Sequence, residues 1–168
     1  PNLNKGDEYT FSFLVPLNQL FERYLFKILK NNINFGVVKY QGPIDYLANI
    51  DKKKSMQLRL DISIIQGENI ICIIDAKYKE VLDAKNNLRV LQSDIYQMLA
   101  YSIAYKCNTI ALIYPRYLED QEEDTLVSEI VIDNYGKQVK IKILKVDLEL
   151  NPEELTMELQ DNLGIRNI

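Results

Sequence analysis

The chain has no histidine, only two cysteines and few glycines. Each shortage closes a class of chemistry. Without histidine there is no Ser-His-Asp or Cys-His catalysis and no His-ligated zinc. Cys72 and Cys107 sit inside apolar stretches without C-x-x-C spacing, so they are expected in the core and not in a disulfide framework or metal cage. No G-x-x-x-x-G-K-[ST] or G-x-G-x-x-G occurs, which removes the recognisable nucleotide-phosphate loops. Long apolar runs are missing too: none approaches the ~18 residues of a membrane span, and no secretory signal pattern opens the chain. A soluble, cytoplasmic protein with no membrane role is the expectation. Catalysis, if any, falls to carboxylates, lysines, tyrosines and a hard cation.

What is there fits one globular domain. The 168 residues are 47% hydrophobic and 26% charged, enough for a sizeable core and too apolar for disorder. The chain opens on Pro1 rather than methionine, so we expect a processed product or the C-terminal part of a longer protein. The net charge of −4 hides an asymmetry. Residues 1–110 hold 14 Lys and Arg against 11 Asp and Glu, whereas residues 111–168 hold 6 against 13. Much of the acidity lies in the C-terminal third, including "EDQEED" at 119–124, which reads as a solvated loop. Total charge therefore does not decide whether the partner is a nucleic acid.

There is no internal repeat or linker. "VPLNQLFERYLFKILKNN" spaces Leu17, Leu20, Phe21, Tyr24, Leu25 and Ile28 as a helix, with Pro16 in its first turn. Short strands are expected on either side of Gly42-Pro43. "KKKSMQLRLDISII" predicts one long alternating strand, with Met56, Leu58, Leu60, Ile62 and Ile64 on one face and Gln57, Arg59, Asp61 and Ser63 on the other. A "QGEN" turn leads to "IICIIDA", apolar on both faces like a central strand. After a loop come a helix over about 91–106, a second doubly apolar strand in "NTIALIYP", a hairpin around "NYG", and a helix in "NPEELTMELQDN". Asn151 is its expected N-cap, with Pro152 at the first position and Glu154 in the capping-box slot. The order predicts an α/β fold with a mixed sheet between helices.

The chemistry concentrates at the end of the first doubly apolar strand. Side chains two apart share a face, roughly 6.5–7 Å apart at Cα, so Asp75 and Lys77 project together. Pairing through the "QGEN" hairpin brings Asp61 close. An isolated D-x-K can be a plain ion pair at a sheet rim. A second buried carboxylate needs another compensating charge, and oxygen-only ligation suits Mg²⁺.

"LRLDISI", the hairpin and "IIDAKYK" resemble the PD-(D/E)XK nuclease signature, and "SDIYQMLAYSIAY" resembles the helix that follows it in RecB-like and McrC-like members. Together with "LFERYLFKIL" and "LIYP", the chain from about 20 to 115 most resembles the McrC nuclease subunit of 5-methylcytosine-dependent restriction systems. The resemblance implies a restriction-endonuclease-like fold across residues 1–168 and a Mg²⁺-dependent DNA endonuclease, with Mn²⁺ as a substitute. It implies Asp61, Asp75, Glu22 and the Ala76 main-chain carbonyl as metal ligands, and Lys77 as the group that places or activates water. It also matches Gln97 and Tyr101 to the family's Q-x-x-x-Y. Leu60 stands where the family usually has proline. The implied partners are DNA and a GTP-driven AAA+ motor subunit, with a homodimer left open. Two other readings are a RecB-like or stand-alone nuclease and an inactive nuclease-fold binding module.

Other residues keep two readings each. Asp94, Gln97 and Tyr101 form one stripe of their helix, facing water or facing the site. Glu22 is a ligand or a surface residue paired with Arg23 or Lys27. Tyr78 and Lys79 touch phosphate or end a strand. "DKKK" at 51–54 with Arg59 is a DNA-backbone contact or a solvated turn.

Overall fold

A computed structural model describes residues 16–117, 120, 124–134 and 136–165. Most of the acidic run at 119–124, and Tyr135 of the "NYG" turn, lie outside them. The element order is α1 (Leu17–Asn32), β1 (Val37–Tyr40), β2 (Asp45–Ile50), β3 (Lys53–Leu58), β4 (Ile62–Gln66), β5 (Asn69–Ala76), α2 (Gln92–Tyr105), β6 (Thr109–Pro115), β7 (Leu126–Asn134), β8 (Lys137–Val146) and α3 (Pro152–Leu163). Six strands form one sheet in the order β1-β4-β5-β6-β8-β7, while β2 and β3 make a separate hairpin. β5, β6 and β8 run parallel, and β1, β4 and β7 are antiparallel to their neighbours. This is the expected mixed sheet.

Helices cover both faces, which is why β5 and β6 are apolar on both sides. On one face Phe21, Leu25, Ile28 and Leu29 of α1 and Leu155 and Leu159 of α3 pack on Ile62, Ile64, Cys72, Ile74 and Ile113. On the other, Met98 and Tyr101 of α2 pack on Ile73, Ile110, Leu112, Tyr114 and Ile141. Both cysteines are buried and free, as expected. α1 buries a narrower stripe than its apolar spacing predicts: Leu17 and Leu20 are exposed, and Pro16 is the N-cap rather than a first-turn residue. Asn151 caps α3 by accepting from the backbone N–H groups of Glu153 and Glu154.

One expectation fails here. The long alternating strand is broken at 59–61 into β3 and β4, which belong to different sheets. Leu58 and Leu60 turn toward α2, Ile62 and Ile64 toward α1, and Met56 is exposed at a φ of 58°. Because both faces of the sheet offer a helix, apolar residues before and after the break each find cover on opposite sides. On α2 the inward one of the two readings of the polar stripe holds for Asp94 and Tyr101, which are buried, while Gln97 is exposed, as is Ile103 on the neighbouring apolar stripe. Among the described residues no helix is long and apolar enough to cross a membrane.

Candidate active site

β5 extends past the end of β4, and that overhang organises the site. Ile62, the first residue of β4, is paired with Ile74. The next N–H along β5, that of Ala76, therefore has no ladder partner on that side. The Asp61 carboxylate takes it, with Oδ2 accepting from Ala76 N at 3.0 Å. On the opposite edge Lys77 N donates to Ile113 O of β6 at 2.8 Å. Since N–H and C=O of one trans peptide point in opposite directions, the Ala76 carbonyl points away from β6, toward Asp61. Asp75 shares the α2 face with Ile73 and is buried. Lys77, two residues on, places Nζ 2.7 Å from Asp75 Oδ2. The sheet thus gathers Asp61, Asp75, Lys77 and the Ala76 carbonyl at one strand end.

The electrostatics are strained. Burial first, then the charges of Asp75 and Glu22, push the Asp61 carboxyl up to about 7, against the opposing pull of the Ala76 N–H and Lys77. Burial also raises Asp75, with Asp94 and Glu22 adding to it and Lys77 offsetting part. For Lys77 burial favours the neutral amine, but the charge and hydrogen bond of Asp75, with Asp94 and Asp61, outweigh it and lift the ammonium above its ordinary value. Lys77 is therefore a cation at neutral pH and has no lone pair to act as a base. With every group ionised, Glu22, Asp61, Asp75 and Asp94 exceed Lys77 and Lys79 by two negative charges.

α2 closes one side of the site. Asp94, in its first turn, sits 3.6 Å from Lys77 Nζ and 3.0 Å from Lys79 Nζ. Tyr101 donates its hydroxyl to the Arg59 carbonyl at 2.8 Å and accepts from Gln97 Nε2 at 2.7 Å. That bond fixes the backbone two residues before Asp61. Burial pushes the Tyr101 phenol up to about 12, so it remains a donor. The Q-x-x-x-Y pair consequently holds the acid-bearing segment against the helix. Glu22 approaches from α1, where its Oε1 accepts from Gln41 Nε2 at 3.2 Å, and Arg59 in turn donates to Gln41 Oε1. Glu22 pairs with neither Arg23 nor Lys27; it bears on Asp61 and Asp75 through its charge.

Tyr78 and Lys79, each with two readings from the sequence, both have partners within the fold. The Tyr78 ring packs edge-on against Phe21 at 5.8 Å and beside Tyr117 at 6.4 Å, on the α1 side of the sheet. Just past the end of β5, Tyr78 thus packs toward α1 whereas Lys77 reaches Asp94 of α2. Lys79 is held by Asp94. Of the 51–54 segment, Lys53 and Lys54 belong to β3 and Lys54 lies over the Tyr46 ring, while Arg59 donates to Gln41.

Among the described residues no three His, Cys, Asp or Glu side chains are gathered closely enough to cage a metal ion. An all-protein cage is thus not built. Mg²⁺ does not need one: it is usually held by one or two carboxylates, with water and phosphate oxygens completing its octahedron. Two mutually repelling carboxylates, a carbonyl turned toward them and a surplus of two negative charges fit such an ion.

A family model described as "McrBC 5-methylcytosine restriction system component" matches residues 1–115. The chain belongs to the McrBC family. A chain in the solved complex of Thermococcus gammatolerans McrB AAA+ hexamers with bound McrC matches at a TM-score of 0.66 and 17% identity. The match covers 89% of this chain and 34% of that one, so this chain spans about a third of its structural neighbour. At that identity the likeness shows the fold. No curated protein sequence matches.

Two residues of this candidate site carried no signal of their own in the sequence. Gln41 bridges Arg59 to Glu22, and nothing in its neighbourhood marks it, because the contact depends on the chain break at 59–61. Tyr114 is fully buried, with the charges of Asp94 and Asp75 adding to burial in raising its phenol. It could have been found. Tyr114 is two residues from Leu112, the register partner of Asp75, and so shares its face.

Proposed function

We propose that this McrBC-family chain is a Mg²⁺-dependent endonuclease domain that hydrolyses DNA phosphodiester bonds as the cleavage part of a 5-methylcytosine-directed restriction complex. The observation that carries this is the meeting of Asp61, Asp75 and Lys77 where β5 outruns β4. Asp61, Asp75 and the Ala76 carbonyl would hold the cation, with Glu22 adding charge from α1. When bound, a divalent cation supplies positive charge at the phosphoryl oxygens and acidifies water.

The chain's own groups do the rest. Lys77, kept as an ammonium by its acidic neighbours, donates hydrogen bonds to the attacking water and to a phosphoryl oxygen. It thereby places the nucleophile and stabilises the extra negative charge of the transition state. The water oxygen bonds to phosphorus as the bond to the departing sugar oxygen breaks. The water's proton passes to solvent, and the departing oxygen takes one up. Tyr101, through the Arg59 carbonyl, keeps Asp61 in register with Ala76.

The structural neighbour's assembly with McrB AAA+ hexamers supports an AAA+ motor as partner; we take that motor to be GTP-driven and to choose the modified target while this domain cuts. The test is cleavage of methylated plasmid by the chain combined with such a motor, in Mg²⁺ and in EDTA. Lys77→Ala is expected to fold and assemble normally and lose cutting by at least about a hundredfold. Undiminished cutting by that variant would remove the mechanism.

A further inference from the structure

Lys77 has two carboxylate neighbours from different elements. Asp75, on β5, holds its Nζ at 2.7 Å, and Asp94, on α2, lies 3.6 Å away on the other side. In this arrangement Asp75 Oδ2 is taken by an ammonium group, so a divalent cation held by Asp75 would either need that oxygen or lie directly beside the ammonium. Both cations cannot share that oxygen, since like charges at ligand distance repel strongly in a half-buried site. For a metal to enter, the ammonium has to move, and a buried cation needs a counter-charge wherever it goes.

Asp94 is built to receive it. Asp94 is buried and anchored in the first turn of α2, and its second carboxylate oxygen is already fixed by Lys79 at 3.0 Å. The displacement needed is about an ångström, within rotamer reach of a lysine. The buried Tyr114 hydroxyl, without a hydrogen-bond partner among the described residues, is near enough to feel the charges of both Asp94 and Asp75.

We propose that Asp94 is a positioning residue: the second berth for the Lys77 ammonium, onto which Lys77 shifts from Asp75 when a divalent cation takes Asp75. This rests on the reading that Asp75 is a metal ligand. Metal entry and placement of the water-orienting lysine then become one event, with Lys77 released from Asp75 only when the cation is in place. An asparagine at 94 would leave Lys77 without a charged alternative, so the ammonium would compete with the metal for Asp75.

The experiment is calorimetric titration of the 168-residue chain with Mn²⁺, as a mutant cycle between positions 94 and 77. Wild type is expected to bind and Asp75→Ala to lose binding. Asp94→Asn is expected to weaken binding roughly five- to hundredfold, whereas Asp94→Glu keeps wild-type affinity. In a Lys77→Ala background Asp94→Asn is expected to change affinity by less than about twofold, because the competitor is gone. Equal weakening in both backgrounds would make Asp94 a ligand or a distant charge and overturn the berth, as would no weakening in either. If wild type itself binds no Mn²⁺, both the berth and the metal reading fall; binding indifferent to Asp94 removes the berth alone. Should Asp94→Asn fail to fold, the wild-type chain still decides. The Asp94 carboxyl ¹³C resonance should shift on Mg²⁺ addition, and its constancy would refute the transfer.

Discussion

Replacing Asp61 by asparagine should stabilise the metal-free protein while destroying the site. The Asp61 carboxyl titrates near 7 in the fold against an ordinary 3.8, chiefly because of burial and of Asp75. An acid whose folded value is raised releases its proton more readily when unfolded, so stability falls as pH rises between 3.8 and 7. At 1.36 kcal/mol per pH unit the full penalty above pH 7 is at most about 4 kcal/mol. Solvent at the half-buried site and mutual relief by Asp75 reduce this to about 1–3 kcal/mol. Asparagine keeps an oxygen for the Ala76 N–H bond and carries no charge. In EDTA at pH 8, Asp61→Asn should therefore melt about 2–10 °C above wild type. The gap should shrink through the pH 7 to 4 window and vanish near pH 4. Mg²⁺ should close it from the other side by raising wild type alone. The assay is a thermal melt of both chains from pH 4 to 8, with and without Mg²⁺. A variant that melts at or below wild type at pH 8 would refute the claim that Asp61 is held in electrostatic strain.

Other substitutions separate scaffold from site. Tyr101→Phe removes the donor to the Arg59 carbonyl and should cost about 1 kcal/mol in denaturant unfolding, with a larger proportional loss of cleavage than of stability. Gly36→Ala would place a methyl 2.8 Å from Ile65 O where β1 meets β4, lowering stability by about 1–3 kcal/mol without touching metal affinity. Asn151→Ala removes the cap of α3 and should cost about 1 kcal/mol, again with metal binding unchanged in calorimetry. Lys77→Ala should bind Mn²⁺ at least as tightly as wild type while failing to cut DNA, because it loses a competitor for Asp75 along with the water-placing group.

Much of this arrangement is legible in the chain because its signals are local. "IICIIDA" and "NTIALIYP" are apolar at consecutive positions, which only a strand covered on both faces tolerates, and they become the parallel neighbours β5 and β6. The period of two puts Asp75 and Lys77 on one face, and the short hairpin brings in Asp61. The break at 59–61 was illegible for a physical reason. Alternation records which residues are apolar but not which helix covers them, so Leu60 and Ile62 look like one face even though they serve opposite ones. On α2 the period yields two stripes without saying which one packs; the helix turns Asp94 and Tyr101 inward because the strand end offers them ammonium and carbonyl partners. Tyr78 was ambiguous in the sequence; its packing against Phe21 assigns it to the α1 side.

If Asp61 and Asp75 jointly hold one divalent cation at the end of β5, anomalous diffraction from Mn²⁺-soaked crystals will locate it there. A single peak in contact with both carboxylates and the Ala76 carbonyl, with Lys77 moved off Asp75, is the predicted result. A peak elsewhere, or none with the Lys77–Asp75 pair intact, would contradict it.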